Sequence, residues 1–299
     1  MSILEEMSTD LKVSIDYLKN LEKMSGRYRR VVVNGKKKRR EVYVPCKELK
    51  TVQYWLVHNV FNDCKISNYC TAYQKGMSIK QNALKHAKNN YILHMDIKDF
   101  FPSIDYMKLG TALVKNNLNL SKEDLLVIFH YTLYNTQHLV IGSVCAPIIA
   151  NIVMYDFDNE LDNILKDKGN FTYTRYSDDI IISSEEYINS DLVEIIEELL
   201  KKYGFVVNKK KTHFMTKNMK RNVTGISIDN NTNKLSIGTR NYREIKKRLY
   251  DYLVKNQGDK KYIVGYLSYI KDINKSQYDQ LVKIYKKYDK NCKIFNDNG

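Results

Sequence analysis

The sequence predicts an α+β fold in which short antiparallel strand pairs are set among helices. Two observations carry this. Runs rich in aromatic and β-branched residues come in pairs around turn-forming sequences, at 27–44, 171–184 and 223–237, and strands joined by tight turns pair antiparallel. Between these pairs apolar residues recur at helical spacing, and from residue 239 onward the pattern is helical.

Residues 9–24 read as one amphipathic helix, with Leu11, Ile15, Leu18 and Leu21 on its apolar stripe and Thr9 or Asp10 as N-cap. Residues 27–44 read as a basic hairpin: Val31-Val32-Val33 and Val42-Tyr43-Val44 flank an Asn34-Gly35 turn, and Pro45 ends the second strand. Arg27, Arg29, Arg30, Lys36, Lys37, Lys38, Arg39 and Arg40 crowd this unit, a shape suited to gripping phosphates. Residues 48–62 form a helix on Leu49, Val52, Leu56, Val57 and Val60. Residues 64–90 are irregular except near 79–87, where helical spacing puts Asn82 and His86 on one face. In isolation that pair reads as surface polar residues.

Residues 91–97 read as a buried strand carrying Asp96 near its end. Helices follow at 103–116 and 121–134, the second with a Ser121…Asp124 capping box. A loop beginning at Gly142 leads into one long helix reaching about residue 166. The hairpin 171–184 comes next, then a helix at 187–203 stopped by Gly204. Residues 205–208 and 212–216 are extended around Lys209-Lys210-Lys211, and strands 223–228 and 234–237 turn at Asp229-Asn230-Asn231. Helices at 240–255, 259–272 and 276–289 complete the chain, with a domain boundary near 238.

Composition narrows the function classes. A chain of 299 residues with 43% hydrophobic content can build a real core, which excludes a disordered chain. A net charge of +15 favours a nucleic-acid partner over an anionic membrane surface. The five cysteines, Cys46, Cys64, Cys70, Cys145 and Cys292, are odd in number and contain no C-x-x-C spacing. That speaks against a disulfide framework or zinc knuckle and fits a reducing cytoplasm. Glu5 and Glu6 stand where a signal peptide carries bases. Residues 130–155 lack Asp, Glu, Lys and Arg, but Gly142, Ser143, Pro147 and Asn151 interrupt them, so they read as a loop and a buried helix, not a membrane span.

Three acids carry the chemistry. Tyr176-Ser177-Asp178-Asp179 lies at a turn between strand-like flanks and is, by itself, equally a polar turn or a metal site. Asp96 at the end of a buried strand is costly unless paired or metal-bound. Placed in one sheet, Asp96, Asp178 and Asp179 would converge at one edge. Two Mg²⁺ ions there, with substrate phosphates, are the apparatus of phosphoryl or nucleotidyl transfer.

With these residues in view, the stretch from about 27 to 237 resembles a reverse transcriptase. Asp96-Ile97-Lys98-Asp99-Phe100-Phe101 resembles the first palm motif of that family, and Tyr176-Ser177-Asp178-Asp179 resembles its Tyr-x-Asp-Asp motif. The resemblance implies a right-hand polymerase: fingers at 1–90 with part of 103–150, an antiparallel-sheet palm at 91–238, and a helical thumb at 239–299. It makes Asp96, Asp178 and Asp179 metal ligands, with the Ile97 carbonyl completing the shell. It makes Phe101 a steric gate favouring dNTPs over rNTPs. Arg40…Pro45 resembles the fingers motif, which makes Arg40 and Lys38 contacts for the triphosphate, and Gly76 and Ser78 fit the motif after it. Gly204…Asn208…Lys211 resembles a later palm motif, with Lys211 as general acid beside the leaving pyrophosphate or as a phosphate-screening surface residue. Val140-Ile141-Gly142-Ser143-Val144-Cys145-Ala146-Pro147 departs from the family's Pro-Gln-Gly…Ser-Pro loop by Val140, Ile141 and Ala146, and keeps the nucleotide-side Gly142.

Asn82-Ala83-Leu84-Lys85-His86 and Val223-Thr224-Gly225 resemble the Asn-Ala-x-x-His and Val-Thr-Gly motifs of retron reverse transcriptases. That likeness implies reverse transcription of a structured partner non-coding RNA, primed from a guanosine 2′-hydroxyl, giving branched RNA–DNA (msDNA). It further implies anti-phage defence with an effector on a separate chain. It makes Asn82, His86, Val223, Thr224 and Gly225 RNA contacts, and the basic thumb, through Lys283, Lys286 and Lys287, a grip on an RNA stem-loop; Tyr262, Tyr266 and Tyr269 fall mostly to the core. The alternatives are a group II intron, diversity-generating or abortive-infection reverse transcriptase, a non-catalytic RNA-binding scaffold of the same fold, or a generic DNA-binding protein.

Overall fold

The structure is a computed structural model that describes residues 2–35, 39–290 and 294–295. Lys36, Lys37, Lys38 and Cys292 lie outside the described residues, and with Lys38 one of the two expected triphosphate contacts. The chain runs α1 (Ile3–Leu11), α2 (Ile15–Lys23), β1 (Tyr28–Asn34), β2 (Arg39–Pro45), α3 (Lys47–Leu56), α4 (Ile79–His86), β3 (Tyr91–Asp96), α5 (Tyr106–Lys115), α6 (Lys122–Thr132), α7 (Ala146–Val153) and α8 (Tyr155–Lys168). It continues as β4 (Thr172–Tyr176), β5 (Asp179–Ser184), α9 (Asp191–Lys202), β6 (His213–Thr216), β7 (Arg221–Val223), β8 (Ile226–Ile228), β9 (Leu235–Ser236), α10 (Thr239–Lys255), α11 (Lys260–Ile273) and α12 (Lys275–Tyr285).

The central sheet has the order β4-β5-β3-β6, all neighbours antiparallel. Successive side chains on a strand point to opposite faces, and β3 and β5 obey this closely. Leu93, Met95, Ile180 and Ile182 enter the main core, with residues of α5, α7, α8 and α9. Ile92 and Ile181 enter a second core with α4 and the sheet β7-β8-β9. His94 and Asp96 therefore share the second face with Ile92, and Asp179 shares it with Ile181. A third core joins α10, α11 and α12, and Tyr269 packs against both it and the second core. Among the described residues, no helix is long and apolar enough to cross a membrane.

Four local expectations are corrected. Residues 9–24 are not one helix: Lys12 takes φ 54°, and Ser14 caps a second helix by accepting from the Tyr17 N–H. Apolar spacing carries across that break, so periodicity cannot reveal it. The first helix starts instead at Ser2, in a capping box with Glu5. The single helix expected before residue 166 is α7 and α8, broken at Met154 with ψ 0°. Asn34 lies opposite Arg39, so the first hairpin does not turn on Asn34-Gly35 alone. Residues 223–228 are two strands: Val223 pairs with Ile226 around Thr224 and Gly225, at φ 46° and 87°. Positive φ at both central residues is the two-residue turn that matches strand twist. The Ser121–Asp124 capping box forms as expected.

Candidate active site

Register places the carboxylates. Asp96 lies directly opposite Asp179 across β3 and β5. Asp178 occupies the turn just before β5, and its carbonyl accepts from the Ile97 N–H at 2.9 Å. In extended backbone the C=O of a residue points to the same side as its N–H, so the Ile97 carbonyl faces the turn as well. On the other side of β3, the Asn208 N–H donates to the Asp96 carbonyl at 2.7 Å and its side-chain amide donates to Asp96 Oδ2 at 3.2 Å. Lys211, on the single helical turn after Asn208, pairs its Nζ with Asp96 Oδ1. The structure thus brings Asp96, Ile97, Asp178, Asp179 and Lys211 to one end of the central sheet.

Burial, aided by the neighbouring Asp179 and Asp96, pushes the Asp178 carboxyl above its ordinary range. Among the described residues, no group of three His, Cys, Asp or Glu side chains already stands at metal-ligating spacing. Asp96 faces Lys211, and Asp179 Oδ1 accepts from His94 Nε2 at 3.0 Å. Two of the carboxylates are therefore held by the protein's own donors. The donor set nonetheless fits a hard divalent cation: it is all oxygen, and positive charge beside Asp178 would relieve the repulsion that raises it.

Sequence reasoning missed His94. Its Nδ1 lies 3.3 Å from the Lys211 carbonyl, an acceptor only, so both ring nitrogens donate when both bonds form. Burial opposes the charge this requires, but Asp179, the Lys211 carbonyl and Asp96 outweigh it and raise the His94 pKa. His213 also donates to the Lys211 carbonyl, at 2.7 Å. An i, i+2 relation to Asp96 on the same strand was the available signal. Arg175 and Asp158 were missed too. They form a fully buried pair at 2.8 Å through both Nε and Nη2, and Arg175 Nη1 donates to the Ser177 carbonyl at 3.1 Å.

Phe100 is buried against Phe205, whereas Phe101 is only partly buried. Gly142 has φ 107°, and a Cβ there would stand 2.6 Å from the Tyr43 carbonyl. The Tyr43 N–H donates to the Ile141 carbonyl at 2.7 Å, so this loop is clamped against β2. Arg40 lies exposed on the same hairpin, opposite Val33. Gly142 is thus required by backbone approach, whatever its nucleotide role.

Three of the five residues expected to touch RNA in the paired motifs are corrected. Asn82, His86 and Val223 are 0% exposed and cannot reach an RNA in this structure. His86 lies 2.7 Å from both Ser183 Oγ and Thr174 Oγ1, and burial, with Lys85 nearby, pushes its pKa down to about 3, so it is neutral. Asn82 Nδ2 donates to Thr224 Oγ1 at 3.4 Å, and Thr224 Oγ1 donates to the Ile79 carbonyl at 3.4 Å. The two motifs are halves of one joint that docks α4 and the β7–β8 turn onto the sheet. Thr224 stays partly accessible and Gly225 exposed. Lys283, Lys286 and Lys287 are exposed at the end of α12 and just beyond, on the third core and not at the carboxylates.

Residues 29–270 match the family model described as reverse transcriptase (RNA-dependent DNA polymerase). The retron Ec73 reverse transcriptase of Escherichia coli is 33% identical over 264 residues, covering 82% of this chain and 83% of that protein. The chain belongs to the retron-type reverse transcriptases. The retron Ec86 reverse transcriptase of Escherichia coli is 28% identical over 300 residues, covering 97% of this chain and 92% of that protein. Among solved structures, apo telomerase from Candida tropicalis shares the fold with a TM-score of 0.52 at 11% identity; the match covers 88% of this chain but 58% of that one. The expected class is thereby met: this reverse transcriptase is an α+β, RNA-directed DNA polymerase.

Proposed function

We propose that this reverse transcriptase copies a structured partner non-coding RNA, starting from a guanosine 2′-hydroxyl, into branched RNA–DNA (msDNA). The reading extends to a cytoplasmic anti-phage system with an effector on another chain. The observation that carries it is the buried joint between Asn82…His86 and Val223-Thr224-Gly225, built on the strands that hold the catalytic turn. Two motifs that resemble those of retron reverse transcriptases meet in space, packed on β4 and β5, the strands on either side of the Ser177-Asp178 turn.

In this reading Asp96, Asp178, Asp179 and the Ile97 carbonyl hold Mg²⁺. When bound, that metal supplies activation of the attacking hydroxyl and charge stabilisation at the leaving pyrophosphate. Asn208 orients Asp96 through two hydrogen bonds. Lys211 Nζ, drawn to Asp96, is the proton donor for the leaving group. Arg40 and Lys38 meet the triphosphate, and Gly142 lets its loop approach. Residues 1–90 with part of 103–150 act as fingers, 91–238 as palm and 239–299 as thumb; a separate third core at the C-terminal end supports the last boundary. Lys283, Lys286 and Lys287 bind RNA from the thumb, and Thr224 and Gly225 are the accessible motif residues left to do so.

The test is what co-purifies. A species shortened by RNase and by DNase separately is expected. Wild-type protein that incorporates no dNTP with its partner RNA supplied would overturn the reading.

Phe101 carries a separate prediction. In this reading Phe101, partly exposed beside the buried Phe100, is the gate that crowds a 2′-hydroxyl. Phe101→Val should lower dNTP-over-rNTP discrimination about 10–100-fold, in line with shape-based selection. Single-nucleotide incorporation with paired dNTP and rNTP checks it; an unchanged ratio would assign Phe101 to the core.

A further inference from the structure

Segment 69–73 runs along the outer edge of β4. The Arg175 N–H donates to the Tyr69 carbonyl at 2.8 Å, and the Thr71 N–H donates to the Arg175 carbonyl at 2.8 Å, a parallel rung at Cys70. Cys70 and Thr71 are buried, and Asn151 Nδ2 holds the Ala72 carbonyl at 3.0 Å. The chain then turns sharply outward. Tyr73 takes φ 59°, a left-handed conformation that bulky residues avoid, and is 53% exposed. Its hydroxyl lies 3.4 Å from Ser177 Oγ, and its ring stands 6.5 Å from that of Tyr176. Ser177, itself at φ 59°, is buried beneath it.

A rigid edge rung thus ends in an exposed aromatic side chain fixed beside the residue that precedes Asp178. Among the described residues, no apolar core takes up this ring. A strand end extended at Asp178 would lie close to the Ser177 turn that the Tyr73 hydroxyl touches. A tyrosine offers a stacking face to any base, and a hydroxyl that can bond a minor-groove acceptor or a ribose 2′-hydroxyl.

We propose that Tyr73, paired with Tyr176, contacts the template–product base pair at the catalytic turn and holds it there. The proposal rests on the polymerase activity of the family and not on the retron-specific role. Lys75, two residues on, is exposed and adds positive charge to the same segment, and the approach of the Tyr176 ring is the observation that points to a base as the ligand.

Tyr73→Gly provides the test, because glycine adopts a positive φ without strain and so removes the ring while sparing the backbone. On an RNA template annealed to a DNA primer, Tyr73→Gly should raise the KM for the duplex about ten-fold, with kcat and the dNTP KM within two-fold of wild type. Its melting temperature should be unchanged or higher. Tyr73→Phe, which keeps the ring, should raise the duplex KM only about three-fold. A duplex KM unchanged in both variants would overturn the proposal. So would a fall in kcat at constant duplex KM, which would make Tyr73 a positioning residue acting through Ser177. If Tyr73→Gly does not fold, Tyr73→Phe decides by the same split. A wild-type protein inactive on this duplex and on its own RNA would count against the polymerase reading, a separate failure.

Discussion

Asp178→Asn should abolish measurable DNA synthesis, a loss on the order of 10³-fold or more, without lowering thermal stability. The two halves of this expectation come from the same geometry. Asp178 is pressed by burial, by Asp179 and by Asp96, all of which disfavour its charged form. A neutral amide of the same shape removes that repulsion, so the fold should gain or stay level. In the proposed site that charge serves the metal, and sites that keep such strain trade stability for function. Asp96→Asn differs in its stability term, because it leaves Lys211 without its carboxylate partner. Both are checked by dNTP incorporation beside a thermal melt. Activity above about a tenth of wild type in Asp178→Asn would remove that residue from the catalytic set.

The sequence made the carboxylates legible for a physical reason. Strand alternation and one tight turn are local properties, and together they force Asp96 and Asp179 to the same face once β3 and β5 pair. The helices were legible where apolar spacing and a cap agreed, as at Ser121 and Asp124. What stayed hidden depends on contacts distant in sequence. Asn82 and His86 look like surface polar residues because nothing local says that Thr174, Ser183 and Thr224 will satisfy them in the interior. Positive φ at Lys12 and Thr224 is equally silent, since neither residue type advertises it. Arg175 read as part of a strand flank, and its carboxylate partner lies 17 positions earlier on α8.

Asp158→Ala should cost about 3–5 kcal/mol, because it leaves the Arg175 guanidinium buried without its counter-ion. Both side chains are 0% exposed, and Tyr173 Oη donates to the same carboxylate at 2.7 Å. At roughly 2–4 °C per kcal/mol for a chain somewhat smaller than this one, the melting temperature should fall by about 10 °C. The pair Asp158→Leu/Arg175→Met offers the sharper comparison. Replacing a buried ion pair by apolar residues of similar volume is often neutral or stabilising, so this double variant should melt well above Asp158→Ala. Its activity should stay low even where it is fully folded, because the bond from Arg175 Nη1 to the Ser177 carbonyl goes with the guanidinium. Stability and activity would then separate. A double variant that recovers both would mean that β-pairing alone sets the turn at Ser177, and that Arg175 stabilises the fold without positioning the carboxylates beside it.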